Sequence, residues 1–258
     1  MPRYELRGKR VWVTGASSGI GAALTRALVA AGAQVVMSAR GREALDRQAE
    51  QLGRKRAFAV PLDVTDREAN HQAVEQIRWL LGGLDLVILN AGTCEYVDVE
   101  HFDAALFERQ VQVNLLGMVY GIEAALTLLR ESDAPYLVGV SSMSAYSGLS
   151  RAEAYGATKA AIRNMLQSLR VDLRPENIDV SVVFPGFVET PLTERNDFPM
   201  PFKISAEQAA AAILRGLSRR RPEIQFPRHF GWLVKLYGAL PGSWHTRLGQ
   251  YTLKRKPS

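Results

Sequence analysis

The stretch RVWVTGASSGIGAALTRALVAAG, residues 10–32, joins a short apolar segment to an amphipathic one through a turn that contains three glycines. The apolar run predicts a β-strand, and the segment after the turn predicts a helix that ends at a glycine. In such a turn Gly15 permits the tight bend, Gly19 lets the backbone approach a pyrophosphate, and Gly21 lets helix and strand pack closely. The helix start then offers free N–H groups and a positive dipole end to phosphates. The spacing GxxxGxG differs from the commoner GxGxxG, and glycines at such turns can be purely structural, but the position after the first strand favours a nucleotide-binding site.

The alternation of apolar strands and amphipathic helices continues along the chain. Near-continuous apolar strands separated by helices indicate a parallel sheet that is covered on both faces. We therefore predict an α/β fold with a doubly wound parallel sheet (a Rossmann fold), as a single domain over residues 1–227 with a helical C-terminal extension over 228–258. The predicted strands are 10–14, 33–39, 56–64, 84–90, 135–141, 178–184 and 223–226, and the predicted helices are 19–32, 42–52, 66–81, about 103–130, about 152–173 and 205–220.

Composition and charge exclude several classes of protein. The 258 residues are 47% hydrophobic and 22% charged, which is ordinary for a globular protein. The single cysteine, Cys94, excludes an intramolecular disulfide and suits a reducing cytosol. The charged N-terminus does not resemble a secretory signal, and no apolar run approaches the roughly 18 residues of a membrane span. We expect a cytoplasmic protein.

The net charge of +6 is unevenly distributed. Residues 219–258 contain nine Lys/Arg and one acid, so the rest of the chain is close to neutral. A neutral main domain argues against nucleic-acid binding, and the basic end of the chain requires a separate explanation.

A second informative stretch is VSSMSAYSGLSRAEAYGATK, residues 140–159. Tyr155 and Lys159 are four residues apart, so on a helix they share one face. A nearby ammonium group favours the phenolate and lowers a tyrosine pKa that is ordinarily about 10. Because a YxxxK pattern often arises by chance, the same two residues could also belong to a solvated helix face.

These motifs together resemble the short-chain dehydrogenase/reductase family. They occur in that family's order across residues 8–220. The matching elements are TGxxxGxG at 14–21, DV at 63–64, NAG at 90–92, Asn114 in VNLLG, Ser142 in VSS, YGATK at 155–159 and PGFVET at 185–190.

The resemblance implies a catalytic group of four residues. Tyr155 would give its proton to a carbonyl oxygen or take it from an alcohol. Lys159 would lower the pKa of Tyr155 and hydrogen-bond the nicotinamide ribose, and Ser142 would donate to the substrate oxygen. Asn114 would hold a water that links Lys159 to solvent, or its amide would simply satisfy a kink in its helix.

The resemblance also implies a dinucleotide site. Asp63 and Val64 would contact the adenine, Thr190 would meet the nicotinamide carboxamide, and the segment 90–92 would flank the adenosine ribose, although Asn90 could instead brace the strands. No metal ligand is expected, and His229 and His245 are isolated. The expected cofactor residues are Thr14, Gly15, Ser17, Ser18, Gly19, Ile20, Gly21, Arg40, Asp63, Val64, Asn90, Ala91, Gly92, Tyr155, Lys159, Pro185, Gly186, Val188 and Thr190.

The end of the second predicted strand bears on the choice of dinucleotide. An acid about 20 residues after the glycine turn would bind the ribose 2′-hydroxyl and favour NAD. Ala39 occupies that position and Arg40 follows it, and an arginine can bind a 2′-phosphate. Arg42 could assist, or it could be an ordinary surface residue at a helix start. The sequence favours NADP(H) over NAD(H).

The segment that the family uses to close its substrate pocket is apolar in this chain. It corresponds to residues 187–203, and its apolar members suggest a hydrophobic carbonyl or alcohol such as an acyl, steroid or lipid-like compound. The same side chains could equally pack the lid onto the body. The residues concerned are Phe187, Leu192, Phe198, Met200 and Phe202, with Met143, Tyr146 and Tyr96 as companions.

The extension differs from the short ending that is typical of the family. Leu233, Leu236, Tyr237 and Leu240 recur at helical spacing, and two tryptophans, Trp232 and Trp244, bracket them. Basic residues interleaved with aromatics suggest a helix in a membrane interface. A helix packed across the substrate pocket, or against a partner subunit, would show the same pattern.

The resulting functional hypothesis is an NADP(H)-dependent oxidoreductase that moves hydride between nicotinamide and a small carbonyl or alcohol, with reduction as the favoured direction. The resemblance implies a homodimer or homotetramer. Three alternatives remain: a catalytically weak dinucleotide-binding sensor or scaffold, a membrane-associated enzyme acting on lipid-like substrates, and an isomerase or dehydratase on the same scaffold. Cys94 has no histidine partner in the sequence pattern, so we do not expect it to be a nucleophile.

Overall fold

The fold is described by a computed structural model, which gives the backbone of residues 3–253 and the side chains of residues 3–250. The last five residues of the predicted extension, 254–258, lie outside the described residues. Seven strands form one parallel sheet in the order β3-β2-β1-β4-β5-β6-β7. The strands are β1 (Arg10–Thr14), β2 (Gln34–Ser38), β3 (Ala57–Ala59), β4 (Leu86–Leu89), β5 (Tyr136–Val140), β6 (Asp179–Pro185) and β7 (Glu223–Phe226).

Helices cover both faces of this sheet, which confirms the predicted doubly wound α/β fold. They are α1 (Gly19–Ala30), α2 (Arg42–Leu52), α3 (Arg67–Leu81), α4 (Ala104–Gln110), α5 (Gly117–Leu129), α6 (Glu153–Asp172), α7 (Ala206–Ser218), α8 (Arg228–Gly238) and α9 (Gly242–Leu253). A π-helical segment, Val111–Leu116, joins α4 to α5, and a short 3-10 turn, Met143–Tyr146, follows β5.

The core consists of two apolar layers, one on each side of the sheet. Successive side chains of a strand point to opposite faces, so in β1 Val11 and Val13 pack towards α1 and α7. Trp12 points the other way, into the layer formed by α3, α5 and α6, and its indole N–H donates to Ser38 Oγ at 3.0 Å. Because both faces are covered, the strands are apolar almost throughout.

The strand order determines where a ligand can bind. β1 pairs with β2 on one side and with β4 on the other, so the chain reverses its direction of winding next to β1. At such a reversal the connections leave a crevice at the carboxyl ends of the strands. The glycine turn after Thr14 and the segment after Leu89 lie at this crevice.

Some boundaries differ from the sequence predictions. The ladder of β3 covers only Ala57–Ala59, whereas we predicted a strand over 56–64. Pro61 has no N–H group and cannot donate to a ladder, so beyond Ala59 the chain is joined to β2 by separate hydrogen bonds from Val60 and Leu62. The helix expected over about 103–130 contains the π-helical segment, which the hydrophobic pattern did not reveal.

One helical run in the described part of the chain, Ala104–Leu129, is long and apolar enough to cross a membrane by length and composition alone. In the fold its second half is a core helix: Ala124, Ala125 and Leu128 are fully buried against the sheet. The run is therefore explained by burial inside the protein.

The C-terminal extension packs on the body instead of trailing from it. Gly231 and Val234 on the inner face of α8 are buried. α9 folds back over α8: the rings of Tyr237 and His245 stack at 4.3 Å, and His245 Nε2 lies 3.0 Å from Ser147 Oγ. Two packed helices thus follow the last strand.

Candidate active site

The glycine turn has the geometry of a phosphate cradle. Gly19 has φ +53, and a Cβ there would come 2.9 Å from the Thr190 methyl group. A Cβ on Gly21 would collide with the carbonyl oxygen of Gly15, so the first turn of α1 packs directly on the bend. Ser18 precedes the helix in an extended conformation and makes no side-chain cap within the described structure. The first N–H groups of α1 are therefore not capped by the Ser18 side chain.

Thr14 and Asn90 lock this turn to the end of β4. Thr14 Oγ1 accepts hydrogen bonds from the N–H groups of Asn90 and Ala91 at 3.0 and 3.1 Å. Asn90 Nδ2 donates to the carbonyl oxygens of Thr14 and Gly15 at 3.0 and 3.2 Å. The bracing role considered for Asn90 is therefore present, and its contact with a ribose remains a prediction.

A cleft of about 990 Å³ extends from this turn across the carboxyl ends of the strands. Ser142 and most of the predicted cofactor residues line this cleft. Thr14, Gly21 and Asn114 are not among its described lining residues, but each contacts a residue that is. The predicted lining residues that the structure brings together are Gly15, Ser17, Ser18, Gly19, Ile20, Arg40, Asp63, Val64, Asn90, Ala91, Gly92, Tyr155, Lys159, Pro185, Gly186, Val188 and Thr190.

At one end of the cleft a carboxylate and a guanidinium are close. Asp63 Oδ1 accepts hydrogen bonds from the backbone N–H and the hydroxyl of Thr65 at 3.0 and 2.8 Å. The backbone hydrogen bond and the positive charge of Arg40 hold the pKa of Asp63 below its ordinary value. Arg40 is exposed and lines the cleft, whereas Arg42, the first residue of α2, is not among the described lining residues.

At the other end Tyr155 and Lys159 project from the first two turns of α6. Lys159 Nζ lies 5.6 Å from the centre of the Tyr155 ring and donates to the Val140 carbonyl oxygen at 3.0 Å. Ser141 Oγ in turn donates to the Lys159 carbonyl oxygen at 2.8 Å, which ties β5 to α6. Ser142 is the second residue after β5; its Oγ accepts a hydrogen bond from the Ser144 N–H at 3.2 Å, and its side chain is close enough to the Tyr155 hydroxyl to lower the pKa of that phenol.

Burial controls the protonation of both groups. It raises the pKa of the Tyr155 phenol above the ordinary value, and the hydrogen bond with Ser142 offsets this only in part. Burial also lowers the pKa of Lys159 to about 8. The net shift of the Tyr155 pKa is upward because loss of water around the phenol is its largest cause, and a lowering contribution from Lys159 remains a prediction. The phenol is protonated at neutral pH and can donate a proton.

Asn114 is fully buried in the π-helical segment. Its Nδ2 donates to the Thr93 carbonyl oxygen and to Thr158 Oγ1 at 3.0 and 3.1 Å, and its Oδ1 accepts from the Thr93 N–H at 2.8 Å. The amide thus joins the loop after β4 to α6. A Cβ on Gly92 would lie 3.2 Å from Asn114 Oδ1 and 3.3 Å from Lys159 Nζ, so the two side chains border the same point. The water relay predicted for Asn114 remains a prediction.

The segment after β6 closes the remaining side of the cleft. The Thr190 N–H donates to Thr193 Oγ1 at 3.1 Å, which folds the start of the lid back on itself. A Cβ on Gly186 would lie 3.0 Å from Phe230, so the turn after Pro185 lies against α8. Contact of Thr190 with a carboxamide remains a prediction.

Aromatic rings join the lid to its surroundings. Phe187 lies 6.0 Å from Phe198 and 5.6 Å from Phe230 of α8, and Phe202 lies 5.9 Å from Phe230. Tyr96 packs edge-on against Phe198 at 5.6 Å. The interpretation that these side chains pack the lid onto the body is therefore observed, and Leu192 is the lid residue of the predicted set that lines the cleft.

Two of the residues that we predicted to join the lid at the substrate pocket, Met143 and Tyr146, lie away from the cleft. Met143 is buried beneath Gly186 and Gly231. Tyr146 packs on Phe184 and its hydroxyl donates to Glu223 at 3.2 Å, because the 3-10 turn directs it away from the cleft. Neither is among the described lining residues.

Cys94 lies in the loop after β4, beside the catalytic candidates. Burial raises the pKa of its thiol to about 11, despite a hydrogen bond with Tyr96 and the charge of Lys159. A thiol that stays protonated is a poor nucleophile, in agreement with the sequence interpretation. Within residues 3–253 no group of three or more His, Cys, Asp or Glu is placed to hold a metal ion.

Sequence reasoning missed part of the lining. Residues such as Thr93 and Val140 adjoin a recognised motif and could have been found by extending the strand ends by one or two positions. Those on α4 and the π-helical segment carry no such signal. The additional lining residues are Ala39, Gly41, Leu62, Thr65, Thr93, Glu95, Glu108, Arg109, Gln112, Val113, Val140, Ser141, Pro191 and Thr193.

Comparison with known proteins gives a consistent result. Residues 9–198 match the model of the family described as short chain dehydrogenase. An uncharacterized oxidoreductase of Myxococcus xanthus is 33% identical over 92% of this chain and 94% of its own length. An uncharacterized oxidoreductase of Staphylococcus aureus (strain MW2) is 31% identical over 83% of this chain and 93% of its own length.

Two solved structures are similar over most of the chain. A short chain dehydrogenase from Burkholderia cenocepacia in complex with NADP has a TM-score of 0.83 and 28% identity, and covers 95% of this chain and 99% of its own. A 3-ketoacyl-(acyl-carrier-protein) reductase from Brucella melitensis, complexed with NADH, has a TM-score of 0.80 and 25% identity, and covers 86% and 99%.

Proposed function

We propose that this chain, which belongs to the short-chain dehydrogenase family and is an oxidoreductase, transfers hydride between NADP(H) and the carbonyl or alcohol carbon of an apolar small molecule. The observation that carries the proposal is the group formed by Tyr155, Ser142 and Lys159. It lines the same cleft as the glycine turn.

The residues of the cleft fit a dinucleotide. A side chain on Gly19 would fill the space in front of Thr190, and the start of α1 carries no side-chain cap on Ser18 that would compete with phosphate oxygens. The nicotinamide, when bound, supplies or accepts the hydride. Lys159 Nζ and Gly92 border the point where a ribose hydroxyl could accept a hydrogen bond.

The chain's own residues supply the proton and the charge stabilisation. In reduction the Tyr155 O–H gives its proton to the substrate oxygen as negative charge develops there. Ser142 stabilises that charge as a second hydrogen-bond donor. Lys159, at its position beside the ring, favours the phenolate that remains. In oxidation the same proton moves in the opposite direction.

NADP(H) is the proposed cofactor because Arg40 lies on the cleft at the end of β2 and Ala39 leaves no acid there to repel a 2′-phosphate. Of the two similar solved structures, one holds NADP and the other NADH, so relatives alone do not decide the preference.

An apolar substrate is proposed because Leu192 lines the cleft and the lid above it is rich in aromatic rings. A homodimer or homotetramer in the cytoplasm is proposed because family members often form such oligomers. We also propose that the C-terminal extension makes peripheral contact with a membrane.

The test is turnover of a panel of apolar ketones and aldehydes with NADPH and with NADH. We expect the wild type to turn over at least one substrate with NADPH. Tyr155→Phe should lose at least a hundredfold in kcat while binding the cofactor normally. Tyr120→Phe, on α5, is the matched control and should keep full activity. Cofactor binding without turnover of any carbonyl or alcohol would favour the sensor or scaffold alternative.

A further inference from the structure

The two C-terminal helices expose an unusual amount of apolar surface. Twelve large apolar side chains are exposed in the described part of the chain, and five of them lie on α8 and α9. Trp232 and Leu236 are 64% and 66% exposed. Single exposed apolar residues are ordinary, but a concentration of this kind marks an interaction surface. The five residues are Trp232, Leu233, Leu236, Trp244 and Leu248.

This surface is the outer face of helices whose inner faces are already used. On α8 the buried residues are Gly231 and Val234, and at 100° per residue Trp232 and Leu236 lie on the opposite side. On α9, Tyr237 of α8 stacks against His245, which leaves Trp244 exposed beside it. Packing of α8 and α9 onto the body of the same chain therefore does not explain why their outer faces carry large apolar side chains.

Charge identifies the partner. Residues 228–258 contain six Lys/Arg and no acid, and three of the six, Arg228, Lys235 and Arg247, lie on the described helices α8 and α9. Arg228 borders the apolar stripe of α8 and is exposed. Lys235 Nζ lies 5.8 Å from the Trp232 ring, but it is paired with Glu223 Oε2 at 3.3 Å and so adds no free positive charge to this face. An apolar face bordered by basic side chains and tryptophan is characteristic of a helix lying in the interface of an anionic bilayer. A second copy of the chain fits less well, because a two-fold contact would press the same basic surface against itself.

From these observations we propose that the outer faces of α8 and α9 dock the protein on the surface of an anionic lipid bilayer. The docking surface is formed by Trp232, Leu233, Leu236, Trp244 and Leu248, with Arg228 and Arg247 at its edge. The apolar side chains enter the headgroup region, and the basic side chains bind the anionic headgroups.

The docking surface adjoins the lid of the active site. The Phe202 ring, which is half exposed, lies 4.6 Å from the His229 ring of α8 and 5.9 Å from Phe230. Docking therefore brings the lid to the lipid surface. This consequence rests on the proposed function: an apolar substrate dissolved in the bilayer would reach the cleft beneath the lid without crossing bulk water.

The test is flotation of the full chain with vesicles of phosphatidylcholine alone and of phosphatidylcholine with about 30 mol% phosphatidylglycerol. We expect binding to the anionic vesicles, weakened as salt is raised to about 1 M, where charges are screened within roughly 3 Å. Trp232→Ala combined with Leu236→Ala should weaken this binding at least about tenfold. Trp79→Ala is the matched control, since Trp79 is still more exposed but lies on α3.

A charge variant, Arg228→Gln with Arg247→Gln, provides an independent arm if the apolar variant folds poorly. It should weaken binding to the anionic vesicles and leave binding to pure phosphatidylcholine unchanged. The proposal is overturned if the wild type does not float with anionic vesicles, or if Trp79→Ala loses as much binding as the α8 variant. It is also overturned if the α8 variant instead dissociates an oligomer in size-exclusion chromatography. No substrate or cofactor is present in these measurements, so their failure would leave the proposed hydride transfer untouched.

Discussion

Lys159 Nζ lies 5.6 Å from the centre of the Tyr155 ring and donates to the Val140 carbonyl oxygen. Both side chains are held in surroundings that disfavour charge. Burial keeps the phenol protonated and brings the pKa of the amine down to about 8. The pair is therefore set to act as a proton donor at neutral pH.

The first prediction concerns the pH dependence of the reaction. Carbonyl reduction needs the Tyr155 proton and the charged Lys159, so kcat/KM for reduction should be flat from about pH 6 to 7.5 and fall above about pH 8 as Lys159 deprotonates. Alcohol oxidation needs the phenolate and should accelerate with pH over the same range. Initial rates in both directions test this. A reduction profile that stays flat to pH 10 would contradict the assignment.

Lys159 should also affect stability. Its pKa is about 8 in the folded protein and 10.5 as the ordinary value. Between these values the unfolded chain holds a proton that the folded chain has released, so the free energy of unfolding rises with pH. The rise from pH 7 to 9 should be about 1 kcal/mol. Urea unfolding of the wild type and of Lys159→Met measures it, and the variant should lack the rise.

A second buried group acts with the opposite sign and needs a control. Cys94 has its pKa raised from 9.0 to about 11, so above pH 9 the unfolded chain loses this proton first and stability falls. The comparison should therefore be repeated in a Cys94→Ala background. If the free energy of unfolding shows no Lys159-dependent rise between pH 7 and 9 in either background, the Lys159 amine is not desolvated in the folded protein.

The glycine turn yields a steric prediction. Gly19→Ala meets two obstacles, a φ of +53 and a methyl group of Thr190 at 2.9 Å. Gly53→Ala meets only the first, because φ is +90 and no atom lies within 4 Å. We expect Gly53→Ala to cost about 1–2 kcal/mol in the free energy of unfolding, and Gly19→Ala to cost more. Thr190→Ser removes the methyl group but keeps the Cβ, which would lie 3.1 Å from the new methyl, so the double variant should recover part of the excess. Equal costs at the two glycines would show that the lid does not press on the turn.

The features that could be predicted from the sequence are those fixed by local order. The turn at 14–21, the ends of every strand but β3 and the Tyr155–Lys159 pair all follow from spacing within one strand, turn or helix. A parallel sheet brings strand ends to one edge, so motifs far apart in the chain were correctly expected to meet.

The features that could not be predicted depend on tertiary packing. The direction of Tyr146 is set by Glu223, which is 77 residues away, and the approach of Glu108 and Arg109 to the cleft depends on the π-helical segment. The upward shift of the Tyr155 pKa could not be predicted, because spacing shows the nearby ammonium group and does not show the loss of water around the phenol. Each of these properties arises only when distant segments meet.

Cofactor choice can be tested at Arg40. If its guanidinium binds a 2′-phosphate, Arg40→Gln should lose about 1.5–3 kcal/mol of NADP(H) binding, roughly ten- to a hundredfold in Kd, with little change for NAD(H). Arg42→Gln is the matched control, since Arg42 begins α2 and is not among the described cleft residues. Fluorescence titration with both dinucleotides measures the ratio. Equal losses for NADPH and NADH would remove Arg40 from the proposed phosphate site.

The last prediction concerns the lid. The Tyr96 hydroxyl donates to Asn196 Oδ1 at 2.6 Å, while its ring packs on Phe198 at 5.6 Å. Tyr96→Phe removes the hydrogen bond to Asn196, and with it the hydroxyl's contact with Cys94, and keeps the ring contact, at a cost of about 1 kcal/mol to the closed lid. We expect KM for an apolar carbonyl to rise about fivefold, with kcat within about twofold, because the hydroxyl holds the lid and takes no part in proton transfer. Phe198→Leu should act in the same direction by loosening the ring contact, whereas Tyr120→Phe should change neither constant. A loss of kcat without a change in KM would instead place the Tyr96 hydroxyl in the chemical step.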